Sequence, residues 1–166
     1  HLSRLALAIL QNERDARQEA GKEPQIPVAN EVSLIDIALP DLYGKIRRLS
    51  DLKGKVVLLD FSAYAGKYSP DYNRALAQLY KKYHRQGFEI YQVSIDPNEN
   101  LWQVSADNLP WICVRDADTT RSRVALSYNV QSLPTAFLID RQSVLQQRVS
   151  KLADLPQAIE KLLRQK

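Results

Sequence analysis

The residue types that most often carry chemistry are scarce in this chain. Its 166 residues include one cysteine, Cys113, and two histidines, His1 and His84, which lie far apart in the sequence. A single cysteine cannot form a disulfide within the chain, and no group of cysteines and histidines has the spacing of metal ligands. The sequence therefore predicts neither a metal site nor a bound cofactor.

Cys113 is the one residue that could carry thiol chemistry. It lies in the apolar run Trp-Ile-Cys-Val at 111–114, which predicts a strand. A buried free cysteine behaves as a small apolar side chain and is usually unreactive. Two interpretations stay open: a structural thiol, or a thiol that forms a mixed disulfide with a partner.

Ser69 offers a hydroxyl, but serine becomes a nucleophile only beside a base. His84 follows Ser69 by fifteen residues, which is about 20 Å along a helix axis. The order Ser69, Pro70, Asp71 is instead typical of a helix start, with a capping hydroxyl, a proline and an acid in the first turn. Ser69 is therefore predicted to cap a helix.

Aromatic residues surround this serine. Tyr64 and Tyr68 flank Gly66 and Lys67. Tyrosine combines apolar area with a polar tip, so this stretch could recognise an extended peptide or a small ligand. The tyrosines could equally fill space and cover the end of a sheet.

The composition is that of a soluble globular domain. Apolar residues make up 45% and charged residues 25% of the chain, which is long enough to bury a core. The net charge is +4, without a block of five like charges, so no nucleic-acid surface is predicted. The apolar run at 5–10 is too short to span a membrane, and no signal sequence can be read.

The hydrophobic pattern predicts alternating strands and helices. A turn with Gly44 at its tip and a single helical turn capped by Ser50 precede the first buried strand. This order, followed by a hairpin and a last helix, predicts an α/β fold with a mixed central sheet and helices on both faces. Strands are predicted at 32–37, 56–61, 88–95, 112–114, 135–139 and 144–149, and helices at 70–86, 100–106, 122–128 and 154–164.

Residues 2–20 predict a further helix at the start of the chain. Leu2, Leu5 and Ile9 lie on one helical face, and Gly21 and Pro24 end the pattern. We divide the chain into a helix and linker, 1–24, and a main domain, 25–166. The helix could pack on its own domain, form a dimer contact or join an upstream domain. Because the chain begins at His1 and contains no methionine, we expect a fragment or a processed product.

Four segments of the main domain carry a family resemblance. They read LPDLYGKIRRLSDLKGKVVLLDF, LYKKYHRQGFEIYQVSID, LPWICVRD and YNVQSLPTAFLID. In this order and spacing they resemble the thioredoxin superfamily, and more narrowly the envelope thiol–disulfide oxidoreductases grouped with alkyl hydroperoxide reductase and thiol-specific antioxidant proteins. The resemblance implies a thioredoxin-like fold, a periplasmic or envelope location, and a cis Pro134 between Leu133 and Thr135, facing the redox loop.

The resemblance also implies where redox cysteines would stand. The family pattern D-F-W-A-x-W-C-x-x-C places the first cysteine at Gly66, counted from Phe61, and the second at Ser69, counted back from Tyr80. Disulfide exchange needs a thiolate and a second thiol that resolves the mixed disulfide. Gly66, Lys67, Tyr68 and Ser69 are thus expected to be vestigial redox-loop positions, and no catalytic residue is predicted there.

Three functions follow as expectations. The first is a redox-inactive binding or scaffold module that holds an extended peptide or an envelope protein in a groove. We call this the candidate groove, made of Tyr64, Tyr68, Leu133, Pro134 and Thr135. The second is a thiol-disulfide oxidoreductase or antioxidant protein that acts through Cys113. The third is an assembly module that docks through the helix at 2–20. The sequence favours the first.

Overall fold

The computed structural model describes residues 34–165, and their centre is a five-stranded sheet with the order β5-β4-β3-β6-β7. Strand β3 pairs in parallel with β4 and antiparallel with β6, which confirms the predicted mixed sheet. The strands are β1 (Ala38–Pro40), β2 (Ile46–Arg48), β3 (Val56–Ser62), β4 (Phe88–Ser94), β5 (Ile112–Arg115), β6 (Thr135–Ile139) and β7 (Leu145–Arg148).

The described helices lie close to their predicted positions. They are α1 (Ser69–Tyr83), α2 (Glu99–Ala106), α3 (Arg123–Ser127) and α4 (Leu155–Arg164). Short 3-10 helices occupy Leu49–Leu52, His84–Gln86, Thr119–Arg121 and Leu152–Asp154.

Strand β3 is the centre of the sheet and is buried along its whole length. Its run of valine and leucine suits a strand that is covered on both faces, as predicted. Only Asp60 and Ser62 interrupt the apolar run, and both lie at its carboxyl-terminal end. The sheet therefore places two buried polar side chains where the chain leaves β3 for α1.

Apolar side chains form a core on each face of the sheet. One core takes residues from α1, α2 and α4, including Leu76, Trp102 and Ile159. The other takes residues from α3 and the chain before β3, including Ala125 and Leu49. Each fully buried leucine or isoleucine contributes about 2 kcal/mol relative to an exposed one. Helices on both faces confirm the predicted layer order.

The strand predicted at 32–37 is wrong within the described residues. Residues 34–37 form no strand, and the first strand is β1, which pairs with β2. The physical reason lies in Asp36, whose carboxylate accepts the backbone N–H of Ile37 at 2.9 Å. A side-chain acceptor of this kind competes with ladder hydrogen bonds. The predicted turn is present, with Gly44 in the left-handed region at φ +79°.

Ser50 does not cap the turn that follows. It lies inside the 3-10 helix Leu49–Leu52, whose preceding residue, Arg48, has no side-chain capping bond. The Ser50 hydroxyl instead donates to Asp36 Oδ2 at 2.8 Å, and the Ser50 N–H donates to Asp36 Oδ1 at 2.8 Å. Asp36 attracts both donors, so the hydroxyl is not free to cap.

The other helix boundaries follow local rules. The predicted helix over 70–86 consists of α1 and a 3-10 turn, and Gly87 ends it in the left-handed region at φ +105°. Asn98 caps α2 by accepting the N–H of Leu101. Ser122 caps α3 by accepting the N–H of Ala125.

The predicted helix over 2–20 and the boundary at residue 24 lie outside the described residues and stay predictions. Among residues 34–165, no helix has the length and the apolar character that crossing a membrane requires.

Candidate functional site

The stretch that links β3 to α1, residues 63–69, contains the predicted vestigial positions. We call it the 63–69 loop. Ser69 is the first residue of α1 and is buried, whereas Lys67 is exposed. The N-cap position belongs to Tyr68, which has helical backbone angles and makes no side-chain capping bond.

The predicted capping role of Ser69 is therefore wrong. A capping residue needs an extended backbone just before the helix, and Ser69 already lies within it. Its hydroxyl accepts a hydrogen bond from the Asn73 amide at 2.9 Å. This amide is no base, so the hydroxyl has no activating partner there.

Tyr68 folds back over the loop. Its hydroxyl oxygen accepts the N–H of Ala63 at 2.8 Å, and its ring packs edge-on against Tyr72 with the ring centres 5.9 Å apart. The ring also fills the space beside Gly66. A Cβ added to Gly66 would lie 2.2 Å from Tyr68 Cε1 and 2.8 Å from Tyr68 Cζ.

Glycine is thus required at position 66 because the Tyr68 ring lies too close for a side chain, and not because of the backbone angles there. The glycines with positive φ in the described chain are Gly44, Gly54 and Gly87. A side chain at 66 would need the Tyr68 ring to move, and with it the hydrogen bond from Ala63. The loop is shaped around Tyr68.

Asp96 holds the other side of the loop. This buried carboxylate accepts the backbone N–H groups of Tyr64 at 2.8 Å and Ala65 at 3.1 Å, and the Ser94 hydroxyl at 2.6 Å. Arg115 donates its Nε to the Asp96 carbonyl at 3.0 Å, which fixes the segment that carries the carboxylate. Two adjacent backbone donors on one carboxylate leave the start of the loop little freedom.

A second buried carboxylate, Asp60, lies beneath the loop. Its Oδ2 accepts from Ser62 Oγ at 2.8 Å and from Gln92 Nε2 at 3.0 Å, and its Oδ1 accepts from the Tyr72 hydroxyl. Burial raises the pKa of Asp60 to about 6, although these three hydrogen bonds lower it. An acid with this pKa exchanges a proton near neutral pH.

Gln92 connects Asp60 to the loop and to β5. Its Nε2 also donates to Asn73 Oδ1 at 2.7 Å. Its Oε1 accepts the Tyr64 hydroxyl at 2.6 Å and the Trp111 indole N–H at 3.1 Å. All four hydrogen-bonding positions of this amide are thereby used, which fixes its orientation.

The phenols at this site are donors and not bases. Burial raises the pKa of Tyr64 and of Tyr72, and raises that of Tyr68 to about 12. The charge of Asp60 raises each of these pKa values further. All three hydroxyls therefore keep their protons at neutral pH.

Cys113 lies under Tyr64 and not in the loop. Its side chain belongs to the core, the residue is 5% exposed, and its sulfur lies 3.8 Å from Gln92 Oε1. Burial raises the pKa of Cys113 to about 12, and the charges of Asp60 and Glu89 add to the shift, although a hydrogen bond with Tyr64 lowers it. The thiolate that exchange chemistry requires is therefore scarce at neutral pH.

The predicted turn of the candidate groove lies beside the start of the loop. The Leu133–Pro134 peptide bond is cis. Thr135 pairs with Phe61 across β6 and β3, so the turn adjoins the end of β3. The Thr135 hydroxyl donates to the Ser132 carbonyl at 2.6 Å. The predicted proximity of Pro134 and Tyr68 stays a prediction.

Sequence reasoning missed Asp60, Gln92 and Asp96. The available signal was a polar residue inside an otherwise apolar strand, because a buried polar side chain needs partners. Within residues 34–165, no group of three or more histidine, cysteine or acidic side chains is placed to hold a metal ion. The site offers hydrogen bonds, aromatic surface and two buried carboxylates, Asp60 and Asp96.

Comparison with known proteins places this site in context. The model of the AhpC/TSA family matches residues 31–148. The chain is 33% identical over 117 residues to the thiol-disulfide oxidoreductase ResA of Geobacillus kaustophilus, covering 69% of this chain and 66% of that one. It is 32% identical over 117 residues to human nucleoredoxin, covering 67% of this chain and 27% of that one. The chain thus spans less than two thirds of either relative.

Solved structures show the same fold. A solution structure of a thioredoxin-like protein from Bacteroides vulgatus is 53% identical, with a TM-score of 0.73, and the match covers 79% of this chain and 86% of that one. The thioredoxin domain of a thiol-disulfide oxidoreductase from the same species is 28% identical, also with a TM-score of 0.73, covering 82% and 99%.

Proposed function

The chain belongs to the AhpC/TSA family of thioredoxin-like proteins, and we propose that it is a redox-inactive member that binds an extended peptide or protein segment at the candidate groove. We also propose a location in the periplasm or cell envelope, which the resemblance of its motifs to those of envelope oxidoreductases supports. Its partner would be an envelope protein or a segment of one.

One observation carries the proposal: the space beside position 66 is filled by the Tyr68 ring, 2.2 Å from where a Cβ would lie. Family resemblance puts the attacking thiol of an oxidoreductase at this position. A loop that had merely lost a cysteine would keep room for its side chain. Here a tyrosine occupies the room and is hydrogen-bonded in place.

The remaining chemistry of the site supports binding over exchange. The single thiol is buried with a raised pKa, and the Ser69 hydroxyl accepts from an amide. Tyrosine rings and a turn with strand-like backbone are suited to β-addition of an extended peptide. Without a covalent bond to trap the partner, binding depends on hydrogen bonds and tyrosine contacts, so we expect it to be weak.

Thiol chemistry through Cys113 is the competing function. It would require the core to open, because Cys113 as a whole is 5% exposed and its sulfur lies 3.8 Å from Oε1 of the buried Gln92. Nothing at the 63–69 loop would resolve a mixed disulfide formed there.

Binding can be tested with reduced, carboxymethylated α-lactalbumin, an unfolded chain without free thiols. We expect saturable binding to the full-length protein by fluorescence anisotropy. The variant Tyr68→Ala should weaken it about fivefold, the equivalent of about 1 kcal/mol for one aromatic contact.

Tyr43→Ala is the matched control, because Tyr43 is exposed and lies outside the candidate groove. It should leave the affinity unchanged. Unsaturable binding, or an equal loss in both variants, would contradict a peptide site at this groove.

A further inference from the structure

A surface groove runs between α1 and α4. The two helices lie side by side in the same direction, because Leu79 and Pro156 line one half of the groove and Gln86 and Leu163 line the other. The upstream half has a volume of about 650 Å³ and the downstream half about 320 Å³, and Lys82 lines both. We call this surface the α1–α4 groove.

The upstream half of the groove has an apolar floor. Ala75, Leu79, Leu152 and Pro156 form this floor, and none of them protrudes: Leu79 is 9% exposed, and the other three are half-buried. Leu79 and Leu152 belong to the core that α1 and α4 share, so the floor is held in place. A concave apolar surface of this kind is filled by side chains that protrude from a partner.

Lysines border the apolar floor. Lys81 and Lys82 line the upstream half and are exposed, and no residue of 34–165 that lines this half is acidic. Lys82 lies 3.9 Å from Glu160 of the downstream half, an exposed pair of little strength. Lys81 forms no ion pair within residues 34–165. The rim therefore has positive charge available for a partner.

The positive charge of the whole protein is concentrated around this groove. Residues 69–86 and 151–164, which contain both helices, have seven basic and three acidic side chains, which gives a net charge of +4. The complete chain also has a net charge of +4, so the rest of the chain is neutral in sum. The groove thus complements a negatively charged partner.

The shape of the groove favours a helix over a membrane surface as that partner. Binding to a membrane needs large apolar side chains that protrude into the lipid, whereas the apolar residues here are recessed. The exposed large apolar residues of 34–165 are Tyr43, Ile46 and Val104, which lie on the β1–β2 hairpin and α2. The upstream half extends from Ala75 to Lys82, about 10 Å along α1, which is the span of apolar side chains at i, i+4 and i+7 of a partner helix.

We propose that the α1–α4 groove binds an acidic amphipathic helix of another protein. Apolar side chains of that helix at i, i+4 and i+7 fill the floor, and its glutamates or aspartates lie beside Lys81 and Lys82. This inference does not rest on the peptide-binding function, because the α1–α4 groove and the candidate groove share no residue.

A synthetic peptide tests the proposal on the full-length protein. The probe is a fluorescein-labelled peptide of about fourteen residues, about 21 Å long as a helix, with leucine at i, i+4 and i+7, glutamate beside the leucines and alanine elsewhere. We expect saturable binding by fluorescence anisotropy, with a Kd below about 1 mM. The same peptide with lysine in place of each glutamate should bind at least about tenfold more weakly. Equal affinity of the two peptides, or no saturation by about 1 mM, would overturn the proposal.

Charge reversal at the rim locates the binding site. Lys81→Glu should weaken binding of the acidic peptide at least about fivefold, because it turns an attraction into a repulsion. Lys53→Glu is the matched control: it makes the same change in net charge at an exposed position outside the groove, and should leave the affinity within about twofold. Equal losses in the two variants would mean that net charge alone attracts the peptide, and would overturn the site.

A polar side chain in the floor gives a second, independent test. Ala75→Gln should weaken binding at least about fivefold, because it places an amide where an apolar anchor packs. Ala153→Gln, at an exposed position that does not line the groove, should have no effect. Tyr68→Ala should also have no effect, which distinguishes this groove from the candidate groove. Full affinity in Ala75→Gln would contradict the proposal.

Two other occupants are outcomes of the same set of variants. Vesicles of phosphatidylglycerol and phosphatidylcholine test a lipid surface, and sedimentation of the protein alone tests a second copy. We expect neither vesicle binding nor a dimer that depends on Lys81. Vesicle binding that is lost in Lys81→Glu, or a dimer that this variant dissociates, would overturn the proposal and assign the groove to that occupant.

Discussion

The two ends of β3 are fixed by different kinds of side chain. At its amino-terminal end, the guanidinium of Arg141 donates to the carbonyls of Gly54 at 2.9 Å, Gln86 at 3.1 Å and Leu163 at 3.1 Å. At its carboxyl-terminal end, the fully buried Asp60 accepts from three neutral donors. One end has a permanent, partly exposed cation, and the other has a buried group that can ionise.

The side chains at the two ends of β3 therefore have opposite effects on the stability of the fold, and the destabilising one lies beside the candidate site. An arginine that binds carbonyls at the ends of helices satisfies groups that would otherwise lack partners, and it favours folding. A buried carboxylate without a cation opposes folding when it is charged. The end of β3 that adjoins the 63–69 loop is therefore the end not optimised for stability, as is typical of functional sites.

The largest expected effect concerns Asp60. Burial raises its pKa to about 6 in the folded chain, whereas an unperturbed aspartate has a pKa of about 3.9, and this difference corresponds to about 3 kcal/mol of stability. The unfolded chain loses this proton near pH 4 and the folded chain near pH 6. The contribution of Asp60 to stability is thus most favourable below pH 4, becomes less favourable as the pH rises from 4 to 6, and carries its full penalty above pH 6.

The measurement compares urea unfolding of the unaltered protein with Asp60→Asn at pH 4 and pH 7. From pH 7 to pH 4, the unaltered protein should gain between about 2 and 3 kcal/mol relative to the variant, since the unfolded aspartate is still partly ionised at pH 4. The exposed Asp51→Asn serves as a control and should follow the unaltered protein. If Asp60→Asn also follows it, the carboxylate is not buried as described.

The next largest effect tests the packing of the Tyr68 ring against Gly66 in the 63–69 loop. Gly66→Cys with Ser69→Cys should destabilise the fold by about 2 kcal/mol, because the new side chain overlaps the Tyr68 ring. The pair should oxidise poorly. Adding Tyr68→Ala should recover at least half of the loss and allow the disulfide to form.

Thermal unfolding and a thiol gel-shift assay check both statements, with Tyr68→Ala alone as the reference for the lost ring. The double variant could instead be as stable as the unaltered chain and oxidise readily. That result would mean that the Tyr68 ring moves aside without a loss in the free energy of unfolding. The 63–69 loop would then differ from a redox loop in its residue types and not in its packing.

The smallest effect belongs to the other end of β3. Arg141→Ala should cost about 1.5 kcal/mol, because three partly exposed carbonyls lose a charged donor. Arg141→Lys keeps the charge but has one donor group, and should recover about half. Chemical denaturation checks both. A loss below about 0.3 kcal/mol, the range of ordinary surface substitutions, would remove the contrast between the two ends.

Local sequence patterns predicted the strand and the helix that flank the site well. The apolar run at 56–61 gave the central strand, and Pro70 and Asp71 marked the start of α1. Such features depend on residues close in sequence.

Local rules failed at the strand predicted over 32–37 and at the two predicted caps. Ser50 bonds to Asp36 instead of capping, and Ser69 cannot cap because Tyr68 already has helical angles, φ −69° and ψ −21°.

The interior of the site could not be predicted in the same way. Asp60 and Gln92 are 32 residues apart, as are Tyr64 and Asp96. These pairs meet only because the sheet aligns β3 with β4. The position of the Tyr68 ring over Gly66 is decided by packing and by the Ala63 hydrogen bond, neither of which has a sequence signature.

The central claim is that the chain does not exchange disulfides. The most direct measurement is insulin reduction with dithiothreitol, performed on the full-length protein and on Cys113→Ser. The account predicts that both proteins give the rate of buffer alone, because the loop has no thiol and the Cys113 thiol is buried with its pKa raised to about 12. Turnover above that background, abolished by Cys113→Ser, would contradict the account.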